Sequence, residues 1–130
     1  MNVVFYSSII NDKTESICRA LEHSGYPIGL ELHHSIGSLE SRLRQPLNGI
    51  VLVLLYTSTH ENLSHAIVLK ELLYHLPVIL IMHDTGRDAM VRARILRPRF
   101  IFGADDNLED MRLVLEKIIA GQKAMEKTWL

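Results

Sequence analysis

Cysteine, proline, aromatic side chains and any excess of charge are all scarce in this chain, and each scarcity removes a class of protein. The single Cys18 cannot close an internal disulfide, which excludes the stapled frameworks of small secreted domains. Fourteen basic residues stand against fifteen acidic ones, a net charge of −1. No global field therefore gathers nucleic acid, anionic membrane or acidic ligands, and any electrostatic partner must be read locally. The longest apolar run, Ile50 to Tyr56, is about a third of what a bilayer-spanning helix requires. Met1 to Ser8 lacks the basic start and long apolar core of a signal peptide, so the expected location is cytoplasmic. No GxGxxG, no GxxxxGK[ST] and no cysteine beside a plausible base occurs.

What remains is an ordinary globular balance, 48% hydrophobic and 22% charged over 130 residues, enough for one domain with one core. Short β-rich runs alternate with helical patterns. "NVVFYSS" (2–8) reads as a strand. A helix follows in "NDKTESICRALEHSG", with Asn11 or Asp12 as N-cap, Gly25 as stop, and Ile17, Ala20 and Leu21 on one face. "PIGLELHH" (27–34) is a weaker strand whose polar residues suit an edge, and "SIGSLESRLRQ" a short helix. After the turn cluster 46–49 comes the all-apolar strand "GIVLVLLYT". One helix is expected over Glu61 to Leu76, ended by Pro77, then a second continuous apolar strand, "PVILIMH". "GRDAMVRARILR" makes a fourth helix and "RFIFG" a fifth strand. "NLEDMRLVLEKIIAG" makes a fifth helix, with Leu108, Met111, Leu115 and Ile118 inward and Gly121 as its stop.

Five βα units in this order predict an α/β fold: a doubly wound, five-stranded parallel sheet in flavodoxin-like order 2-1-3-4-5, three layers α/β/α. Apolar runs without alternation are what strands buried on both faces demand, so the third and fourth strands belong inside. Residues 1–121 form the domain and 122–130 a C-terminal tail or the start of a linker. Ligands of such sheets bind beyond the carboxyl ends of the strands. The rim there offers Ser7, Ser8, Asn11 and Asp12 after the first strand. Thr57, Ser58, His60 and Glu61 follow the third, His83 and Asp84 the fourth, and Gly103 to Asp106 the fifth.

With this spacing, the "NVVFYSS" start and the "LPVILIM" fourth strand, the chain resembles the receiver domain of bacterial two-component response regulators over about residues 2–121. That family closes its first strand with two acidic residues that help hold Mg²⁺. Its third strand ends in a phosphoryl-accepting aspartate, a Thr or Ser follows the fourth, and a Lys before Pro follows the fifth. Carried onto this chain, the acidic pair falls on Ser7 and Ser8, and the phosphoacceptor on Leu54, or on Leu55 if the strand slips by one. The hydroxyl falls on Met82 and the Lys-Pro on Gly103-Ala104. A leucine has no lone pair to attack phosphorus, and without clustered carboxylates little holds Mg²⁺. The resemblance therefore implies a degenerate form that is not an enzyme, takes no cofactor and works by protein interaction. "GADDNL" (103–108) is similar to a string that precedes the lysine in many receivers, but a register built on it leaves "RFIF" without a strand.

Other constellations compete with this reading. Asn11, Asp12, Thr57, Ser58, His60, His83 and Asp84 form a rim for a nucleotide or flavin, and "SSIINDKT" is similar to a flavodoxin phosphate loop. The later loops, however, offer Tyr56 and little else to hold a ring. Among seven histidines only His60 and His83, with Glu61 and Asp84, converge toward a metal; scattered surface histidines are the blander reading, and no metal site is assigned. Asp12 and Asp84 each begin a helix or turn, where Asp commonly caps. Cys18, between Ile17 and Leu21, reads as packing.

Arg87, Arg92, Arg94, Arg97 and Arg99 crowd one segment, and Asp105, Asp106, Glu109 and Asp110 follow. These opposite signs either neutralise each other as solvated ion pairs or make a surface self-complementary across a two-fold axis. The second reading predicts a homodimer through the fourth helix, fifth strand and fifth helix. A protein partner or output domain is expected, with Trp129-Leu130 as an apolar end reaching toward it. Neither membrane nor nucleic acid is, since no aromatic residues interleave the arginines for stacking. The expected role is a non-phosphorylatable regulatory module in bacterial signalling or transcription control.

Overall fold

The computed structural model of the chain describes residues 1–129, with side chains through 122. Five parallel strands form one sheet in the order β2-β1-β3-β4-β5: β1 Asn2–Ser7, β2 Gly29–His33, β3 Ile50–Thr57, β4 Val78–Met82 and β5 Phe100–Gly103. Around it lie α1 Asp12–Glu22, α2 Ile36–Leu43, α3 His60–Val68, α4 Lys70–Leu73, α5 Arg87–Ala93 and α6 Leu108–Trp129, with a 3₁₀ turn at Arg94–Leu96. The doubly wound order predicted from the alternating pattern is the one observed. Every residue of β3 and of β4 is buried, because both strands are covered on both faces.

Two cores flank the sheet. On one face Val4, Val53, Leu55 and Leu80 pack under α2 to α5 with Leu39, Leu63 and Leu73. On the other, Val3, Phe5, Leu54, Tyr56 and Ile81 pack under α1 and α6 with Ile17, Leu21, Met111 and Leu115. The alternation of β3 side chains between the faces places Leu54 and Leu55 in different cores.

Four local expectations need correction. Asn11 alone caps α1: its side chain accepts from the Thr14 amide while the Thr14 hydroxyl accepts from the Asn11 amide. Asp12 is the first helical residue. The helix expected over 61–76 breaks at Leu69 (φ −90°, ψ 9°) into α3 and α4. There the bonds tighten to i→i+3, Leu69 N to Ala66 O at 2.9 Å and Leu72 N to Leu69 O at 3.0 Å, after the β-branched pair Ile67-Val68, which crowds a helical turn. The helix expected over "GRDAMVRARILR" stops at Ala93 and tightens into the 3₁₀ turn. Finally, α6 runs through Gly121 to Trp129. One glycine among helix formers costs about 1 kcal/mol relative to alanine, too little to stop a helix that packs Met111, Leu115 and Ile119 into the core. Ile119 takes the inward place expected of Ile118, which is only partly buried. The side chains of Trp129 and Leu130 lie outside the described residues.

At the β2 edge, Glu31 is held by Arg42 through Nε at 2.6 Å and Nη2 at 3.3 Å. His33 beside it meets the Ser38 hydroxyl through Nδ1 at 2.6 Å. Its Nε2 is buried without a hydrogen-bond partner, Glu31 Oε1 being 4.0 Å away and beyond bonding range. Burial, chiefly, holds the His33 pKa below its ordinary 6.5; the charge of Glu31 opposes the shift and that of Arg42 adds to it. As pH falls through 6.5 the unfolded chain gains a proton that the folded chain refuses, so this residue lowers stability on the acid side. Thermal melts between pH 7.5 and 5.5 should show a declining Tm, and His33→Gln should flatten that decline.

Candidate functional site

The sheet register sets the level of each group at the carboxyl ends of the strands. Ser7 pairs with Tyr56, Tyr6 with Leu55 and Phe5 with Leu54. Leu55 and Leu54 are therefore one and two residues' depth below the edge, both fully buried, and Tyr56 stands across from Ser7. On the other side of β3, Thr57 pairs with Met82 and Met82 with Gly103, and "RFIFG" supplies β5. Ser7, Tyr56 or Thr57, Met82 and Gly103 thus lie at one level along the edge, without a carboxylate among them.

Tyr56 is 1% exposed. Its hydroxyl meets His83 Nε2 at 2.7 Å, and the two rings sit edge to face, 5.4 Å between centroids. A ring buried this way has no face free to stack on a flavin, which removes the aromatic group that reading needed. The other rim groups engage one another. Ser8 and Ser58 both donate to Asn62 Oδ1, at 3.1 and 2.8 Å, joining the loops after β1 and β3. Ser7 donates to the Ile9 carbonyl at 2.6 Å and Thr57 to that of Ile81 at 3.3 Å. His60 Nε2 pairs with Asp84 Oδ2 at 2.8 Å, while Asp84 Oδ1 also accepts from the Gly86 amide, the turn role its position suggested.

His60, Glu61, His83 and Asp84 do not converge as a set. His83 turns to Tyr56, and Glu61 lies 3.8 Å from His65 on its own helix. Among the described residues no three His, Cys, Asp or Glu side chains stand close enough to share a metal ion. Asn62 and Lys13 are the rim residues the sequence did not single out. Lys13, in the first turn of α1, donates to the Asp106 carbonyl at 2.9 Å, so the rim has a lysine, delivered from the helix after β1 to the loop after β5. Its only signal was a long cation two residues after a helix cap. Cys18 is partly buried in the α1 core. Burial first, then Glu22 and Glu15, raise its thiol pKa, which leaves it a weak nucleophile at neutral pH.

The charged segment is spread over both ends of the sheet. Arg99 precedes β5 and Asp105 follows it, and a four-residue strand separates them by roughly 13 Å. Among the described residues no ion pair joins Arg87, Arg92, Arg94, Arg97 or Arg99 to Asp105, Asp106, Glu109 or Asp110. Arg92 instead donates to the Ser64 hydroxyl, Arg97 lies over Tyr74, Glu109 is held by Arg112, and Asp106 accepts from the Gly103 amide. Exposed Val91, Ile95 and Phe100 lie among the arginines. Phe100 also borders a groove of about 330 Å³ with Val114 and Ile118 of α6.

No helix among the described residues is long and apolar enough to cross a membrane. No family model and no curated protein matches the chain. Solved structures do match it. A response regulator receiver protein from Pseudoalteromonas atlantica is similar at TM-score 0.73 and 13% identity, over 94% of this chain and 99% of that one. A CheY-like receiver domain protein from Methanospirillum hungatei is similar at 0.71 and 12%, over 95% and 97%. A putative pilus assembly-related protein from Burkholderia pseudomallei is similar at 0.69 and 14%, over 92% and 90%. With its strand order and its three layers, the chain has the flavodoxin-like fold of response-regulator receiver domains.

Proposed function

We propose that this protein is a receiver-like module that does not take up phosphoryl groups and acts through protein contacts, as a homodimer or with an output domain, in bacterial signalling or transcription control. The observation that carries the reading is the edge of the sheet. Hydroxyl, thioether and hydrogen occupy the positions where the resemblance calls for acids, a hydroxyl and a lysine, and the Tyr56 hydroxyl is engaged by His83. Side chains of this kind do not gather the hard oxygen ligands that Mg²⁺ requires. Cross-bonded loops, Ser8 and Ser58 on Asn62 above all, hold the rim in one arrangement, which leaves regulation to the partner surface. That surface is assigned to α5, β5 and α6, where arginines that make no ion pair among the described residues accompany exposed Val91, Ile95 and Phe100. Incubation with acetyl phosphate and Mg²⁺, followed by intact-mass analysis, should return the unmodified chain. A stoichiometric phosphoryl adduct would remove the proposal.

A further inference from the structure

The end of the sheet opposite the rim holds a second concave site. α4 and the 3₁₀ turn border a cavity of about 340 Å³, beneath the amino ends of β4 and β5. The five residues of β4 put it about 16 Å from the strand-end rim. Its wall carries Lys70 and Glu71 from α4, Tyr74 just beyond, and Arg94, Ile95 and Arg97 from the turn. Three cations against one carboxylate make this wall +2 in a chain whose whole charge is −1. The side chains of Lys70 and Arg94 have no hydrogen-bond or ion-pair partner among the described residues.

Arg97 adds a separate observation. At φ 52°, ψ 51° it is the only non-glycine residue at positive φ among the described residues. This conformation is unfavourable for a side chain with a Cβ, and Pro98 after it restricts the backbone further. Glycine would take the position without strain but would bring no cation. With arginine there, the guanidinium is held 4.9 Å from the centroid of the half-exposed Tyr74 ring. A strained backbone thus delivers a planar, delocalised cation to the wall of a positively charged cavity, and strain of this sort accumulates where a ligand is held.

We infer that this cavity binds a nucleoside phosphate. Its volume exceeds that of a lone phosphate ion and lies within the range of small-ligand sites. Lys70 and Arg94 supply unengaged donors for phosphate oxygens, the arginine in a fork that matches them. The guanidinium of Arg97, backed by Tyr74, is a plane on which a base stacks. Glu71, the one carboxylate on the wall, is the acceptor for a ribose hydroxyl. The site is independent of phosphotransfer at the rim, and its Ile95 and Arg94 adjoin the proposed partner surface.

Calorimetric titration of the full chain with ADP at low salt tests it, with pyrophosphate and phosphatidylglycerol vesicles as parallel arms. ADP should saturate with Kd on the order of 10 µM and weaken as salt rises. Lys70→Ala and Arg94→Ala should each weaken it about tenfold. Arg97→Gly is the sharpest variant, since relief of the backbone offsets the lost ring contact. It should bind ADP at least about tenfold more weakly while its Tm stays within about 3 °C of the parent. The inference is overturned if ADP does not saturate by millimolar concentration, or if Arg94→Ala and Arg97→Gly bind it unchanged. Pyrophosphate binding as tightly as ADP, or binding confined to the vesicles, overturns the nucleoside assignment.

Discussion

Leu54→Asp is expected to unfold the protein near room temperature, not to restore an acid at a phosphorylation site. Leu54 has no exposed surface and pairs with Phe5 two residues below the level of Ser7, in the core under α1 and α6. Removing its buried methyl groups costs about 2–5 kcal/mol by itself. An aspartate there also brings a carboxylate into an apolar cluster with no cation in it, which adds several kcal/mol whether it ionises unpaired or folds protonated. The sum, above about 5 kcal/mol, equals the whole stability of many domains of this size. Far-UV circular dichroism should show a loss of helix for Leu54→Asp. Leu54→Ala should keep the native spectrum and lose about 3 kcal/mol in urea titration. A native-like melt for the aspartate variant would show that water reaches position 54, and the buried-plug account of β3 would fail with it.

Phe100→Glu should abolish the proposed homodimer and leave a monomer. Phe100 is 45% exposed on an edge strand, in ring contact with Phe102 at 4.5 Å and bordering the Val114 and Ile118 groove. An exposed phenylalanine in a groove is the kind of anchor that carries a large share of an interface's energy. Against a second copy, the substitution removes that anchor and sets a carboxylate on the same patch. An effect of about 3 kcal/mol, roughly a hundredfold in Kd, is expected. Light scattering across a concentration series should find the parent approaching twice the chain mass and the variant remaining at one. The parent's staying monomeric at the highest concentration would assign the face to a different protein, and an unchanged dimer in the variant would place the interface elsewhere. The fold tolerates the change because the side chain points into solvent on one side and removes little from either core.

The order of the strands was legible before any coordinate. Continuous apolar runs at β3 and β4 demand cover on both faces, polar residues in β2 demand an edge, and right-handed crossovers leave few other windings. Asn11 as one of two capping candidates, Pro77 before β4 and the strand "RFIFG" were readable for the same reason, since each depends on residues close in sequence. Depth and partnership were not. Which β3 residue meets Ser7 depends on a register set by pairing between strands, including the irregularity between Asn2 and Val3. This places Tyr56 at the edge and Leu54 beneath it. Whether Arg97 and Arg99 neutralise the acids of 105–110 depended on the length of β5, which holds them at opposite ends. The left-handed Arg97 over Tyr74 and the meeting of Ser8, Ser58 and Asn62 join residues from different segments. The sequence by itself determined the layers, because hydrophobic periodicity is a local property. Only the tertiary structure decided the chemistry of the surface, because side-chain partners are set by distances between elements, and local patterns do not encode them.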